Sequence, residues 1–283
     1  MEYTLYYRNY LRYCNYKCSY CPFSKYKLNK DDLEKDKTYF GKFTDFLRES
    51  TDKYRIFIAP RGEVLNFEHY KSGILMLANL DNITEIVVQT NLSGDPGWLR
   101  NVNKDKVSLW TTYHPRETEF ENFYKNIEFL DRENVRFSVG IVGVHEHFDM
   151  ILALKEKMKF LKNTKPYLWI NAYKDKRDYY SDGDIEFLTE ADPLFGINLK
   201  NYRSKECECR TGESVFWVEY NGAVHRCWQD RKSPGNIFKD NIADMKISGG
   251  CRYSRCTCYI GYIHIKDLDL GKVYKKSLLG RMI

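Results

Sequence analysis

The sequence has no apolar run near the roughly eighteen residues that a membrane span needs, and its first residues, MEYTLYYRNYLRY, lack the apolar core of a secretory signal. Both absences predict a cytoplasmic chain with reduced cysteines and no membrane partner. It also lacks a block of like charge: 45 Lys and Arg are scattered among 39 Asp and Glu, for a net charge of +6. That balance tolerates an anionic ligand or an acidic peptide, but it is not the clustered footprint of a nucleic-acid binder. There is no internal repeat and no low-complexity segment. The nine cysteines are odd in number and no export signal precedes them, so thiolate ligation is a stronger reading than a disulfide framework.

What is present is an alternation. With 283 residues, 43% of them hydrophobic, the chain can form one large domain or one domain with a small appendage. YTLYYR, YRIFIA, EIVVQT, VSLWTT, VRFSVGIV and YLWINA read as six buried strands. Helical spacing joins Tyr39, Phe43, Phe46 and Leu47, then Phe120, Phe123, Tyr124, Ile127 and Leu130, then Ile151, Leu154, Met158 and Leu161. The pattern predicts an α/β fold, a partial (β/α)6 TIM-type barrel over residues 1–200, with its chemistry at the C-terminal ends of the strands. Residues 201–283 read as a second, cysteine-rich module holding Cys207, Cys209, Cys227, Cys251, Cys256 and Cys258. Its clearest element is a β-hairpin, SVFWVEYNGAVHRCW, turning at Asn221-Gly222. The tail KDLDLGKVYKKSLLGRMI reads as a packed helix or a frayed end that carries no chemistry.

Cys14, Cys18 and Cys21 follow the first strand with the spacing C-x3-C-x2-C. Structural zinc wants a fourth ligand close by, and the first histidine is His69. Three thiolates from one loop suit a [4Fe-4S] cluster whose fourth iron is open to a ligand that is not protein.

This motif resembles that of the radical S-adenosylmethionine (SAM) superfamily. The resemblance implies that SAM chelates the open iron, that Tyr20 lies against the adenine, and that Gly62 and Glu63 of APRGEVL bind the methionyl amine. Arg61 stands where the family has a further glycine. VVQTNLSG resembles the family's Thr-Asn turn and makes Asn91 a candidate for the ribose or methionyl end, a core-satisfied Asn being the alternative. GIVGVHE resembles the I-x-G-x-x-E element through Ile141, Gly143 and Glu146, with Val139 replacing a glycine and Val142 beside the adenine.

The second module resembles the SPASM and twitch extensions of that superfamily. Cys209, Gly222 and Cys227 satisfy their shared opening, as does Cys207 in place of Cys209, whereas CRYSRCTC departs from the full SPASM run. Six thiols suffice for one four-cysteine cluster, so the resemblance implies a single auxiliary iron–sulfur cluster; zinc is the alternative, and spacing leaves open which four ligate. His114, after the fourth strand, reads as structural. His145 and His147 read as loop residues, and His225 as a weak alternative ligand.

The implied function is reductive cleavage of SAM to a 5′-deoxyadenosyl radical and a net oxidation, such as a crosslink, of a ribosomal peptide, with an electron donor such as flavodoxin or ferredoxin. The chain begins at the first strand without a peptide-recognition domain before it, which keeps dehydrogenation or rearrangement of a small molecule, an amino sugar or amino acid, as the alternative. A zinc-stabilised binding protein is the reading outside enzymes.

Overall fold

Each of the six apolar runs is a strand: β1 (Glu2–Arg8), β2 (Lys53–Ile58), β3 (Ile83–Thr90), β4 (Val107–Tyr113), β5 (Arg136–Val142) and β6 (Leu168–Asn171). The structure is a computed structural model and describes residues 1–23, 26–230 and 232–283. The strands pair in chain order and in parallel, forming the open, largely parallel sheet of a partial TIM-type barrel. Crossovers run through α1 (Lys30–Glu49), α2 (Glu68–Ala78), α3 (Phe120–Arg132) and α4 (Phe148–Met158). Leu161, expected on the stripe of α4, lies beyond its end yet is buried. Between β3 and β4 the chain makes only a 3-10 turn, Pro96–Asn101, instead of an α-helix. Asp95 caps that turn, and Gly97 just inside it is a poor helix former.

Period-two alternation sends the two faces of the strands into different cores. Leu5, Tyr7, Ile56, Ile58, Ile86 and Val88 pack under the helices, while Tyr6, Phe57, Val87, Trp110 and Trp169 face the concave side.

α5 (Asp182–Ala191) and α6 (Phe195–Leu199) lead to residue 200. Beyond it, β7 (Tyr202–Arg203) pairs with β11 (Arg255–Cys256), and the expected hairpin forms from β8 (Val215–Glu219) and β9 (Ala223–His225). Gly222 takes φ +82°, and its N–H donates to the Glu219 carbonyl at 2.8 Å. β8 also pairs in parallel with β1, from Thr4–Val215 to Arg8–Glu219. With β10 (Gly235–Asn236) on β9, one nine-stranded sheet runs β10-β9-β8-β1-β2-β3-β4-β5-β6. The tail is neither a packed helix nor a frayed end. After α7 (Tyr259–Tyr262) and two 3-10 turns it continues irregularly, burying Leu270, Tyr274, Leu279 and Met282. Its residues join the aromatic cluster of the concave face.

Candidate functional site

The loop after β1 crosses the C-terminal edge of the sheet and is tied down before its first cysteine. Asp36 of α1, wholly buried, accepts the N–H groups of Tyr10 at 2.9 Å and Leu11 at 2.8 Å, and Tyr70 donates its hydroxyl to the other oxygen at 2.9 Å. Buried Asn9 accepts from the Arg61 N–H at 2.7 Å and donates to the Leu11 carbonyl at 2.7 Å. The loop then rests on the turn after β2. A Cβ on Gly62 would stand 1.8 Å from the Tyr13 carbonyl oxygen, so only glycine admits this approach. The next N–H, of Glu63, donates to that same oxygen at 3.2 Å.

Each thiol meets a different strand end or none. Cys14 Sγ lies 3.4 Å from the Tyr16 N–H and 3.7 Å from Asn91 Nδ2, after β3. Cys18 Sγ lies 3.5 Å from His114 Nδ1, after β4, and the Tyr20 hydroxyl shares that nitrogen at 2.8 Å. Cys21 Sγ stays within its own loop, 3.7 Å from the Phe23 carbonyl. Burial pushes the Cys14 thiol up to about 11 and Cys18 to about 12, so both carry protons at neutral pH unless a cation displaces them.

Glu63 is 2% exposed, and its carboxylate accepts from the Thr90 hydroxyl at 2.9 Å, the Leu65 N–H at 2.9 Å and the Asn91 N–H at 2.6 Å. Burial outweighs those bonds and raises its pKa to about 7. The side chain thereby clamps the β2 turn to the β3 turn. Asn91 in turn donates to Asn15 Oδ1 at 3.1 Å and accepts the Ser93 N–H at 3.0 Å, which satisfies it while fastening the cysteine loop to β3.

Tyr20 stacks on His114 at 6.0 Å between ring centres and meets His147 edge-on at 5.6 Å. His147 bonds the Val142 carbonyl at 2.9 Å through Nδ1. Burial, aided by His147, lowers His114 to about 4, so its imidazole is neutral. Tyr20, His114, His147 and Val142 therefore converge where β4 and β5 end. Gly143 extends that edge: its N–H donates to the Asn171 carbonyl at 2.9 Å and its own carbonyl accepts the Tyr180 hydroxyl at 2.7 Å. Glu146 is exposed. The clamp residues Asp36 and Asn9 have no motif signal in the sequence, because the groups they bind lie in the loop after β1, on α2 and in the turn after β2. Arg61, in place of a glycine, reaches across to Glu219 of β8 at 2.7 Å and so joins the β2 turn to the hairpin.

The downstream thiols gather beside the concave face. Burial raises the thiol of Cys256 on β11 to about 12, and the neighbouring Cys258, Cys227, Cys209 and Cys251 push it the same way. Cys207 Sγ turns to the Arg203 carbonyl at 3.5 Å, although its backbone carbonyl accepts from the Cys251 N–H. A Cβ on Gly261 would press within 2.9 Å of Cys256 Sγ. Among the described residues, no three His, Cys, Asp or Glu side chains converge as a single ion requires. The donors in both groups are all thiols, and in the first group the Tyr16 N–H and Asn91 amide lie on Cys14 as sulfur-directed donors.

No protein-family model and no curated protein matches the chain. Solved structures do. anSMEcpe with bound AdoMet and Cp18Cys peptide is 17% identical, with a TM-score of 0.55 over 87% of this chain and 80% of that one. Streptococcus suis SuiB bound to S-adenosylmethionine is 14% identical, with a TM-score of 0.56 over 85% of this chain and 64% of that one. This chain shares the fold of these two S-adenosylmethionine-bound proteins.

Proposed function

We propose that the protein is a radical SAM enzyme that oxidatively modifies a peptide, with one auxiliary iron–sulfur cluster on its downstream cysteines. The observation that carries this reading is the seat of the Cys14, Cys18 and Cys21 loop: it lies on a glycine that has no room for a side chain, among the ends of β2, β3 and β4. A four-iron cluster on those thiolates supplies one-electron reduction of SAM and, through it, removal of a hydrogen atom from the substrate. The chain's own residues hold the parts in place. Gly62 and the Glu63 clamp fix the height of the loop, and Asn91 ties it to β3. Tyr20, stacked on neutral His114, presents an aromatic face at the β4–β5 edge suited to a purine.

Support for a peptide comes from the relatives, since anSMEcpe was solved with the Cp18Cys peptide and SuiB with the precursor peptide SuiA. The test is anaerobic purification of the wild type and the C14A/C18A/C21A variant, with iron, sulfide and 5′-deoxyadenosine measured under strong reductant. Wild type should hold about eight irons per chain, and the triple variant about four with no 5′-deoxyadenosine. Colourless, zinc-loaded wild-type protein, or SAM cleavage by the triple variant, refutes the assignment.

A further inference from the structure

The longest stretch of the chain without an acid surrounds the three cysteines of the first loop. Asp and Glu number 39 in 283 residues, yet none stands between Glu2 and Asp31, where Arg8, Arg12, Lys17, Lys27 and Lys30 all lie. Arg12, Lys17, Lys27 and Lys30 are exposed, and among the described residues they enter no ion pair. The acids that meet this segment come from outside it and are already engaged. Glu117 accepts the Lys17 N–H at 2.8 Å, and buried Asp36 is taken up by the backbone of Tyr10 and Leu11. Asp31 and Asp32 lie in the first turn of α1, where the helix N-terminus offsets their charge.

Apolar side chains stand in the open among these cations. Tyr26 is 61% exposed, Phe23 47% and Leu28 42%. The Arg12 guanidinium lies 5.9 Å from the Tyr26 ring centre, and that of Arg8 lies 4.6 Å from the Phe23 ring centre. Exposed apolar residues inside a polar rim, with Tyr and Arg among them, have the make-up of a protein-docking surface.

Position decides what a partner there can deliver. Cys14 and Cys18 turn to the ends of β3 and β4, and Tyr20 to the β4–β5 edge. Cys21 turns instead to the Phe23 carbonyl of its own loop. A partner on this face therefore meets the three-cysteine site through Cys21, away from the strand ends that hold SAM in the function proposed above. An electron can pass that way, whereas the reacting residue of a peptide must reach the strand ends.

We propose that Arg12, Tyr26, Lys27, Leu28 and Lys30 form the docking face for an acidic one-electron carrier protein, a role that rests on the radical SAM reading above. The reduced carrier loses one electron and is oxidised; the cluster on Cys14, Cys18 and Cys21 gains it and is reduced, with no atom or proton transferred. Encounters of this kind are weak, use small interfaces and are steered by opposite charge, so a few exposed cations around an apolar centre suffice.

The probe is flavodoxin, an acidic flavin carrier, presented to the anaerobically purified full-length protein as wild type, R12E/K27E and K162E/K165E. Two quantities are measured: the Kd for oxidised flavodoxin by biolayer interferometry between about 20 and 200 mM salt, and the rate of 5′-deoxyadenosine formation driven by reduced flavodoxin or by dithionite. R12E/K27E should bind roughly tenfold more weakly at low salt, with a flatter salt dependence. It should lose flavodoxin-driven cleavage at subsaturating carrier, while dithionite-driven cleavage and iron content stay at wild type. K162E/K165E makes the same charge change on exposed lysines beyond α4 and should match wild type. Equal binding by wild type and R12E/K27E, or equal weakening in both double variants, overturns the proposal. So does a synthetic Glu-rich peptide that binds this face where flavodoxin does not, or a dimer that R12E/K27E dissolves, since each gives the face to another occupant. Should R12E/K27E lose iron, R12Q/K27Q decides by the same Kd, and no weakening there overturns it too. Wild type that binds flavodoxin yet cleaves no SAM with dithionite is a distinct failure, of the reaction assigned above, and takes the electron-transfer role with it.

Discussion

Gly62→Ala adds one methyl group where the cysteine loop touches the β2 turn. The new Cβ would begin 1.8 Å from the Tyr13 carbonyl oxygen and 2.5 Å from its carbon, both backbone atoms that no rotamer change can remove. A tolerable C···O contact is about 3.3 Å, so loop and turn must part by about 1.5 Å. The overpacking should cost about 1–3 kcal/mol. At roughly 2–4 °C per kcal/mol, the melting temperature falls by between about 2 and 12 °C with the fold kept. Function should suffer far more, because a displacement near 1 Å at a reacting centre costs on the order of 100-fold. The assay is the initial rate of 5′-deoxyadenosine formation by anaerobic protein, beside its iron content and a calorimetric melt. Gly41→Ala on α1, with nothing within 4 Å of its Cβ, is the control and should be neutral or slightly stabilising. Wild-type cleavage in a fully iron-loaded G62A protein would refute the reasoning.

Three further expectations follow from other contacts. Asp36→Ala leaves the N–H groups of Tyr10 and Leu11 and the Tyr70 hydroxyl without their acceptor, at about 1–3 kcal/mol for each group that stays dry. Iron analysis should show loss from the first cluster ahead of the second, and equal loss from both would contradict an anchoring role. Buried His264, bonded to the Tyr6 hydroxyl at 2.7 Å, is lowered by desolvation from 6.5 to about 3. Because the unfolded chain then binds the extra proton, stability is retained above pH 6.5 and drops as pH falls toward 3. About 2 kcal/mol is lost by pH 5. His264→Gln should flatten the melting temperature between pH 7 and 5, and a slope equal to wild type would count against it. Cys227→Ala should uncouple turnover, with 5′-deoxyadenosine continuing and oxidised product falling, while Cys207→Ala, whose thiol faces the Arg203 carbonyl, should spare both. Product loss in both variants alike would show that the grouping of the thiols is wrong.

The six strands, the hairpin turn and the three-cysteine loop were legible because each rests on residues close in sequence: alternating apolar runs, Asn221-Gly222, and C-x3-C-x2-C. Local spacing carries those features, since a strand's faces and a turn's backbone are set by neighbours a few residues away. Tertiary structure decided what pairs at a distance. It laid β8 beside β1 in parallel and so carried one sheet through residue 200. It turned Glu63 inward as a clamp on Thr90 and Asn91, and put Arg61 against Glu219 where a glycine would leave a gap. It also drew the tail, which had looked empty of chemistry, onto the concave face with Arg281 among three rings. No pattern in LLGRMI announces a buried guanidinium, because what buries it are aromatic side chains from β4, β6 and α7, set more than twenty residues away in the chain and brought together only by the fold.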